Sequence, residues 1–138
     1  MAIKPTHAGI TVSDMDKAVQ WYEKNLGFTL ASRKKYDFMG GMEIAFLGSG
    51  EFYIELFCPP NPKEAPEGIY SDNSVIGTKH IAFETDDLAA MLKAFEKNNV
   101  RILFEAEMEG DWVCFIEDCC KTPIELIERG AGKAKGGR

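Results

Sequence analysis

The sequence predicts an α+β protein built from two modules of one topology, β-α-β-β-β, and three observations predict it. The tetrapeptide YEKN at residues 22–25 returns as FEKN at 95–98, 73 positions later. The apolar residues around each copy trace the same helical stripe. The two histidines of the chain, His7 and His80, are separated by the same 73 positions.

Each element follows in order. A first strand is expected in THAGITV, 6–12. A helix follows, because Met15, Ala18, Val19, Tyr22 and Leu26 recur at the spacing of one helical face. Ser13 or Asp14 can cap its start, and Gly27 can close its end. Three further strands are expected over 29–36, 42–47 and 51–57. The proline-rich CPPNPKEAPEG, 58–68, opens a connector that runs to residue 76. The second module starts with a strand in KHIAFET, 79–85, followed by a helix with Leu88, Met91, Leu92 and Phe95 on one face and Asp86 and Asp87 at its start. Those four apolar positions are the first stripe shifted by 73. Strands over 101–107, 111–117 and 123–128 complete it.

Three shared letters of common surface residues could arise by chance. A shared stripe with shared caps in the same register indicates duplication. One four-stranded sheet with a single helix buries little by itself, so modules at about 4–57 and 77–129 are expected to form a single domain, residues 1–130. The tail from 131 to 138 is rich in Gly and basic residues without bulky apolar groups, and is expected to be disordered.

Composition excludes several functions. A formal charge of −6 opposes a sequence-independent grip on phosphate backbones, so nucleic acid is not expected as a partner. No run approaches the roughly 20 apolar residues of a spanning helix, and no secretion signal is visible, so a cytoplasmic protein with no membrane partner is expected. The four cysteines, Cys58, Cys114, Cys119 and Cys120, form no CxxC pair and read as free thiols, Cys114 in an apolar run and Cys119 and Cys120 in a turn.

The chemistry-bearing residues repeat as well. Glu55 lies in YIELF and Glu125 in PIELI, each a carboxylate between Ile and Leu inside an apolar strand. Alternation turns Ile54 and Leu56 away from Glu55 and puts Tyr53 and Phe57 on its face; Glu125 likewise shares a face with Ile127, opposite Ile124 and Leu126. An ionised carboxylate on such a face needs a counter-charge or a metal. Each module thus offers an imidazole on its first strand and a carboxylate on its last. If those strands are neighbours and a pseudo-twofold relates the modules, the four side chains converge. Two nitrogens and two oxygens suit Zn, Ni, Co, Mn or Fe in the divalent state rather than calcium.

HAGITVSDMDKAVQWYEKNLGF, FYIELF, GTKHIAFETDDL and FIEDCCKTPIELIE together resemble the glyoxalase I / bleomycin resistance / extradiol dioxygenase group, the vicinal oxygen chelate superfamily. The resemblance implies two βαβββ modules whose cupped mixed sheets surround a divalent metal, with ligands at His7, Glu55, His80 and Glu125. It implies a lyase or isomerase of the glyoxalase I type that stabilises an enediolate or enolate of a small-molecule substrate, with Glu125, then Glu55, as the proton-carrying glutamate. It also implies a homodimer. Thr11 and Pro59 stand where glutathione-binding members carry Arg and Asn, which argues against glutathione. EDCCKT replaces the usual Asp-Pro-Asp-Gly turn before the last strand.

Three other readings belong to the same resemblance. A relative of methylmalonyl-CoA epimerase would need a second acid/base, for which Asp37 or Glu43 are candidates. An Fe(II) ring-cleaving dioxygenase would leave one glutamate without a role. A drug-sequestering protein would need no metal ligands. Tyr53, Phe57, Phe104, Trp112, Cys114 and Asp37 are the candidate lining of the substrate pocket, although each aromatic taken alone reads as core.

Overall fold

The computed structural model describes residues 1–132. They form two compact units, the first Met1–Glu64 and the second beginning at Ala65. The first contains β1 (His7–Thr11), α1 (Met15–Leu26), β2 (Thr29–Tyr36), a 3₁₀ turn (Asp37–Met39), β3 (Met42–Ser49) and β4 (Phe52–Cys58). The second contains β5 (Ile81–Glu84), α2 (Leu88–Lys97), β6 (Ile102–Met108), β7 (Asp111–Glu117) and β8 (Pro123–Glu128).

Both sheets are four-stranded and mixed, ordered β1-β4-β3-β2 and β5-β8-β7-β6. The first strand of each module lies parallel to the last, and the remaining pairs are antiparallel. The duplicated topology is therefore present element by element.

Local chemistry sets the helices. Asp14 caps α1 by accepting a hydrogen bond from Lys17 N at 3.1 Å, and Asp87 caps α2 through Ala90 N at 2.9 Å. Gly27 ends α1 in the left-handed region at φ 69°, a conformation that costs glycine little. The N–H of Leu88, at the start of α2, donates to Glu128 on β8 at 2.7 Å, which ties helix to sheet.

Most of each predicted stripe is buried, Met15, Ala18, Val19 and Tyr22 on α1 and Leu88, Leu92 and Phe95 on α2, while Leu26 and Met91 remain half-buried. They cover one face of their own sheet. In the first unit that face consists of Ile10, Ala45, Leu47, Ile54 and Leu56, and in the second of Trp112, Cys114, Ile116, Ile124 and Leu126. Each fully buried side chain of the Leu or Ile type contributes about 1.5–3 kcal/mol relative to an exposed one.

Strand ends differ from expectation in one informative place. His7 is the first residue of β1, whereas His80 lies one residue before β5. In the first unit Tyr53 N donates to Thr6 O at 3.0 Å, opening the parallel ladder. The residue in the matching place on β8 is Pro123, which has no N–H, so that ladder starts at Ile81 paired with Ile124.

The segment 37–41 between β2 and β3 contains a 3₁₀ turn, while only Glu109 and Gly110 join β6 to β7. The shorter hairpin lies where the offset between modules falls from 73 at the histidines to 69 at Phe46 and Phe115, and the offset returns to 70 at the glutamates after the longer turn before β8. Of the tail expected from residue 131, residues 133–138 lie outside the described residues. Gly132 is buried, its N–H donating to Gly110 O at 2.9 Å.

Candidate metal and proton-transfer site

In the first unit His7 pairs with Tyr53 across the parallel β1–β4 ladder, so Glu55, two residues on, faces the same side. His7 Nε2 lies 3.6 Å from Glu55 Oε1. The other ring nitrogen, Nδ1, is 2.8 Å from the Thr6 hydroxyl. That contact holds the ring with Nε2 toward the carboxylate, as an outer partner does for a ligating histidine. Phe46, directly across from Glu55 on β3, meets the His7 ring edge-on, centroids 5.6 Å apart at 82°.

The second unit repeats the arrangement. His80 Nε2 lies 2.9 Å from Glu125 Oε2. Phe115, opposite Glu125 on β7, meets the His80 ring at 4.9 Å and 83°. Phe104 of β6 stacks on Phe115 at 4.8 Å and 8°. Phe46 and Phe115 were not foreseen; one Phe in the third strand of each module, IAFLG and VCFIE, is the signal that marks them.

Two donors about 2.1 Å from one ion stand about 3.0 Å apart at an octahedral right angle and about 3.4 Å apart at the tetrahedral angle. The separations of 2.9 and 3.6 Å fall on either side of that range. Each unit thus places one imidazole nitrogen beside one carboxylate oxygen, at separations close to that range but outside it. Among the described residues no group of three or more His, Cys, Asp or Glu is placed to hold a metal. Both carboxylates are mostly covered, their side chains 18% and 16% exposed, while the histidines are 43% and 36% exposed. A small molecule could therefore reach the imidazoles more readily than the carboxylates.

Other candidate residues divide by face. Tyr53 and Phe57 alternate with Ile54 and Leu56 and share the face of Glu55. Two glycines make room for them: a Cβ at Gly9 would come within 2.9 Å of Phe57 Cε2, and one at Gly48 within 2.8 Å of Tyr53 Cε1. Phe104, half exposed, lies on the Glu125 side through its stack on Phe115.

Trp112 and Cys114 do not line that face. They alternate with Phe115 on β7, and both are buried, at 1% and 0% exposure, against the α2 side. Both are core residues. Glu43 is likewise turned away, since Ala45 and Glu43 alternate with Phe46. Arg33 holds it by two hydrogen bonds, Nε at 2.7 Å and a terminal nitrogen at 3.1 Å, and also reaches Asp16 at 2.6 Å. The two carboxylates push the Arg33 guanidinium well above its ordinary pKa. Asp37 lies in the 3₁₀ turn after β2, outside the sheet.

Comparison with known proteins bears on the family and the fold. The family model described as Glyoxalase/Bleomycin resistance protein/Dioxygenase superfamily matches residues 4–126. An uncharacterized Escherichia coli protein, YaeR, is 32% identical over 126 residues, covering 89% of this chain and 94% of its own. Human mitochondrial methylmalonyl-CoA epimerase is 27% identical over 125 residues, covering 87% of this chain and 70% of its own. Among solved structures, a glyoxalase family protein from Enterococcus faecalis superposes with a TM-score of 0.78 at 18% identity, over 91% of this chain and 97% of that one. That last likeness establishes the fold.

Proposed function

The chain belongs to the Glyoxalase/Bleomycin resistance protein/Dioxygenase superfamily, and from that premise we propose that it is a divalent-metal-dependent lyase or isomerase of the glyoxalase I type. The observation that carries this reading is the repeated pair, His7 with Glu55 and His80 with Glu125, each backed by a phenylalanine on the neighbouring strand. In this proposal the four side chains are the protein ligands of one Zn, Ni, Co, Mn or Fe ion. Bound there, the ion would supply Lewis acidity, polarising a substrate oxygen beside an acidic C–H.

The residues do the remaining work. Glu125 takes the proton from the carbon next to the polarised oxygen and returns it, with Glu55 as the second candidate. His80 Nε2 and Glu125 Oε2, 2.9 Å apart, stand side by side as neighbouring ligands, which fixes where the carboxylate meets the substrate. Phe115 and Phe104 on one sheet, and Phe46, Tyr53 and Phe57 on the other, give each carboxylate an apolar flank that limits water. Thr11 and Pro59 favour a thiol adduct or thioester other than glutathione's. On the family pattern we further read the protein as a cytoplasmic homodimer acting on a small molecule.

A second reading, epimerisation beside an acyl-CoA thioester, is favoured by the 27% identity to the human epimerase. It shares the proton abstraction and differs in needing a second acid on the opposite side of the carbon. Glu43 is unsuited to that task, being held by Arg33 on the helix side; Asp37 remains its candidate.

The test is metal analysis of the purified chain, then turnover and solvent-deuterium exchange at the substrate α-carbon with 2-oxoaldehyde–thiol adducts, acyl-CoA thioesters and catechols. Metal-dependent exchange with adducts supports the main reading, and exchange with acyl-CoA alone supports the second. A chain that binds no divalent ion and exchanges no substrate proton overturns both.

A further inference from the structure

Between β7 and β8 the chain turns through Asp118, Cys119, Cys120, Lys121 and Thr122. The backbone of this turn is clamped. Asp118 N donates to Thr122 O at 2.9 Å, and Lys121 N to Asp118 O at 3.2 Å. The Asp118 carboxylate, in a residue only 5% exposed, accepts from Cys120 N at 2.8 Å and Thr122 N at 2.9 Å. Lys121 takes the left-handed conformation at φ 67°. On this frame Cys119 is exposed and Cys120 half-buried, and their sulfurs stand 3.9 Å apart.

Three chemistries are open to adjacent thiols. Disulfide closure is disfavoured, because neighbouring Cα atoms lie about 3.8 Å apart whereas disulfides ordinarily span about 4.4–6.8 Å. A standing thiolate at Cys119 is disfavoured as well. The hydrogen bond with Cys120, then burial, then the charges of Cys120 and Asp118, push the Cys119 thiol far above its ordinary pKa, so it stays protonated. Chelation remains. The two sulfurs stand 3.9 Å apart, close enough for side-chain rotation to bring both onto one centre.

We propose that the Cys119–Cys120 turn is a two-thiol site for a soft, thiophilic centre of the trivalent organoarsenical class. Zinc and its congeners ask for four ligands, and this turn offers two thiols; a monosubstituted arsenical needs only two sulfurs. The reaction is a condensation without change of oxidation state. Two As–S bonds form, the As–O bonds break, and both thiol protons leave with the oxygen as one water. The clamped turn holds the second sulfur where the first has bound, so the chelate forms as an intramolecular step.

The site stands independently of the metal reading of the histidine–glutamate pairs. The probe is phenylarsine oxide added to the full chain, with intact-mass analysis before and after excess monothiol and after excess dithiol. The expected result is one phenylarsenic group per chain that survives monothiol and is removed by dithiol. Cys119→Ser and Cys120→Ser, with melting temperatures matched to the parent, should each lose the resistant adduct while keeping Cys58 and Cys114. A parent adduct stripped by monothiol, no adduct at all, or a resistant adduct retained by either variant overturns the proposal.

Discussion

Glu55 and Glu125 occupy the same place in their modules, yet each meets its histidine at a different distance, 3.6 against 2.9 Å. The side chains around them are apolar, so the carboxylates stand out as the groups able to carry a proton. Replacing Glu125 by Gln keeps a weakly coordinating oxygen and removes its basicity. The expected outcome is a retained fold, part of the metal, and a loss of about 10²- to 10⁴-fold in turnover. Circular dichroism, metal content and deuterium exchange at the substrate carbon separate these effects. Undiminished exchange in a metal-loaded Glu125→Gln protein would move the base to Glu55. Thr6→Val tests the outer partner: without the hydroxyl at 2.8 Å from Nδ1, His7 should bind metal about 10- to 100-fold more weakly, read by competition with a chelator.

At the scale of elements, stability rests on caps and on the helix-covered faces. Asp14→Ala or Asp87→Ala removes the acceptor for one N–H at each helix start and should cost about 0.5–2 kcal/mol in denaturant unfolding. Ile54→Ala, at 0% exposure beneath α1, should cost about 2–5 kcal/mol. A variant near parental stability would show that this face is loosely packed. Asp111 ties the start of β7 to the residues after β8, accepting from Gly130 N at 2.8 Å and from Arg129 at 2.9 Å. The Gly130 hydrogen bond, then Arg129, hold its carboxyl below the usual range. A depressed folded pKa means that stability is present above the unfolded value of about 3.9 and is lost as pH falls through the folded one. Asp111→Asn should therefore melt lower than the parent at neutral pH, and the gap should close as the pH falls below about 4. A gap that is constant with pH would assign the effect to shape rather than charge.

For the whole molecule, the proposal of one ion with four ligands makes a stoichiometric prediction. Purified chain should hold one divalent ion, and His7→Ala should release it although His80 and Glu125 are untouched. If each pair held its own ion, half the metal would remain in that variant, and the shared-ion reading would fail. No helix among the described residues is long and apolar enough to cross a membrane.

The sequence by itself determined the repeat, and through it most of the fold. Stripes, caps and the succession of elements along the chain follow from side-chain periodicity and local hydrogen bonding, both of which act within a few residues and are written in the letters. It also determined that His7, His80, Glu55 and Glu125 are the odd residues in apolar strands. What only the tertiary structure decided is who faces whom. Alternation says that Trp112 and Phe115 lie on opposite faces of β7, but only the pairing of Phe115 with Glu125 says which of them stands beside the carboxylate. That pairing depends on register, and the register shifts between Leu30 and Ser32 and between Ile102 and Phe104 carry no turn-residue signature. The capture of Glu43 by Arg33, and the start of β5 one residue after His80, are of the same kind. The first is set by cross-strand register within the β2–β3 hairpin; the second arises between strands distant in sequence, where one hydrogen-bond donor, present in Tyr53 and missing in Pro123, sets the outcome.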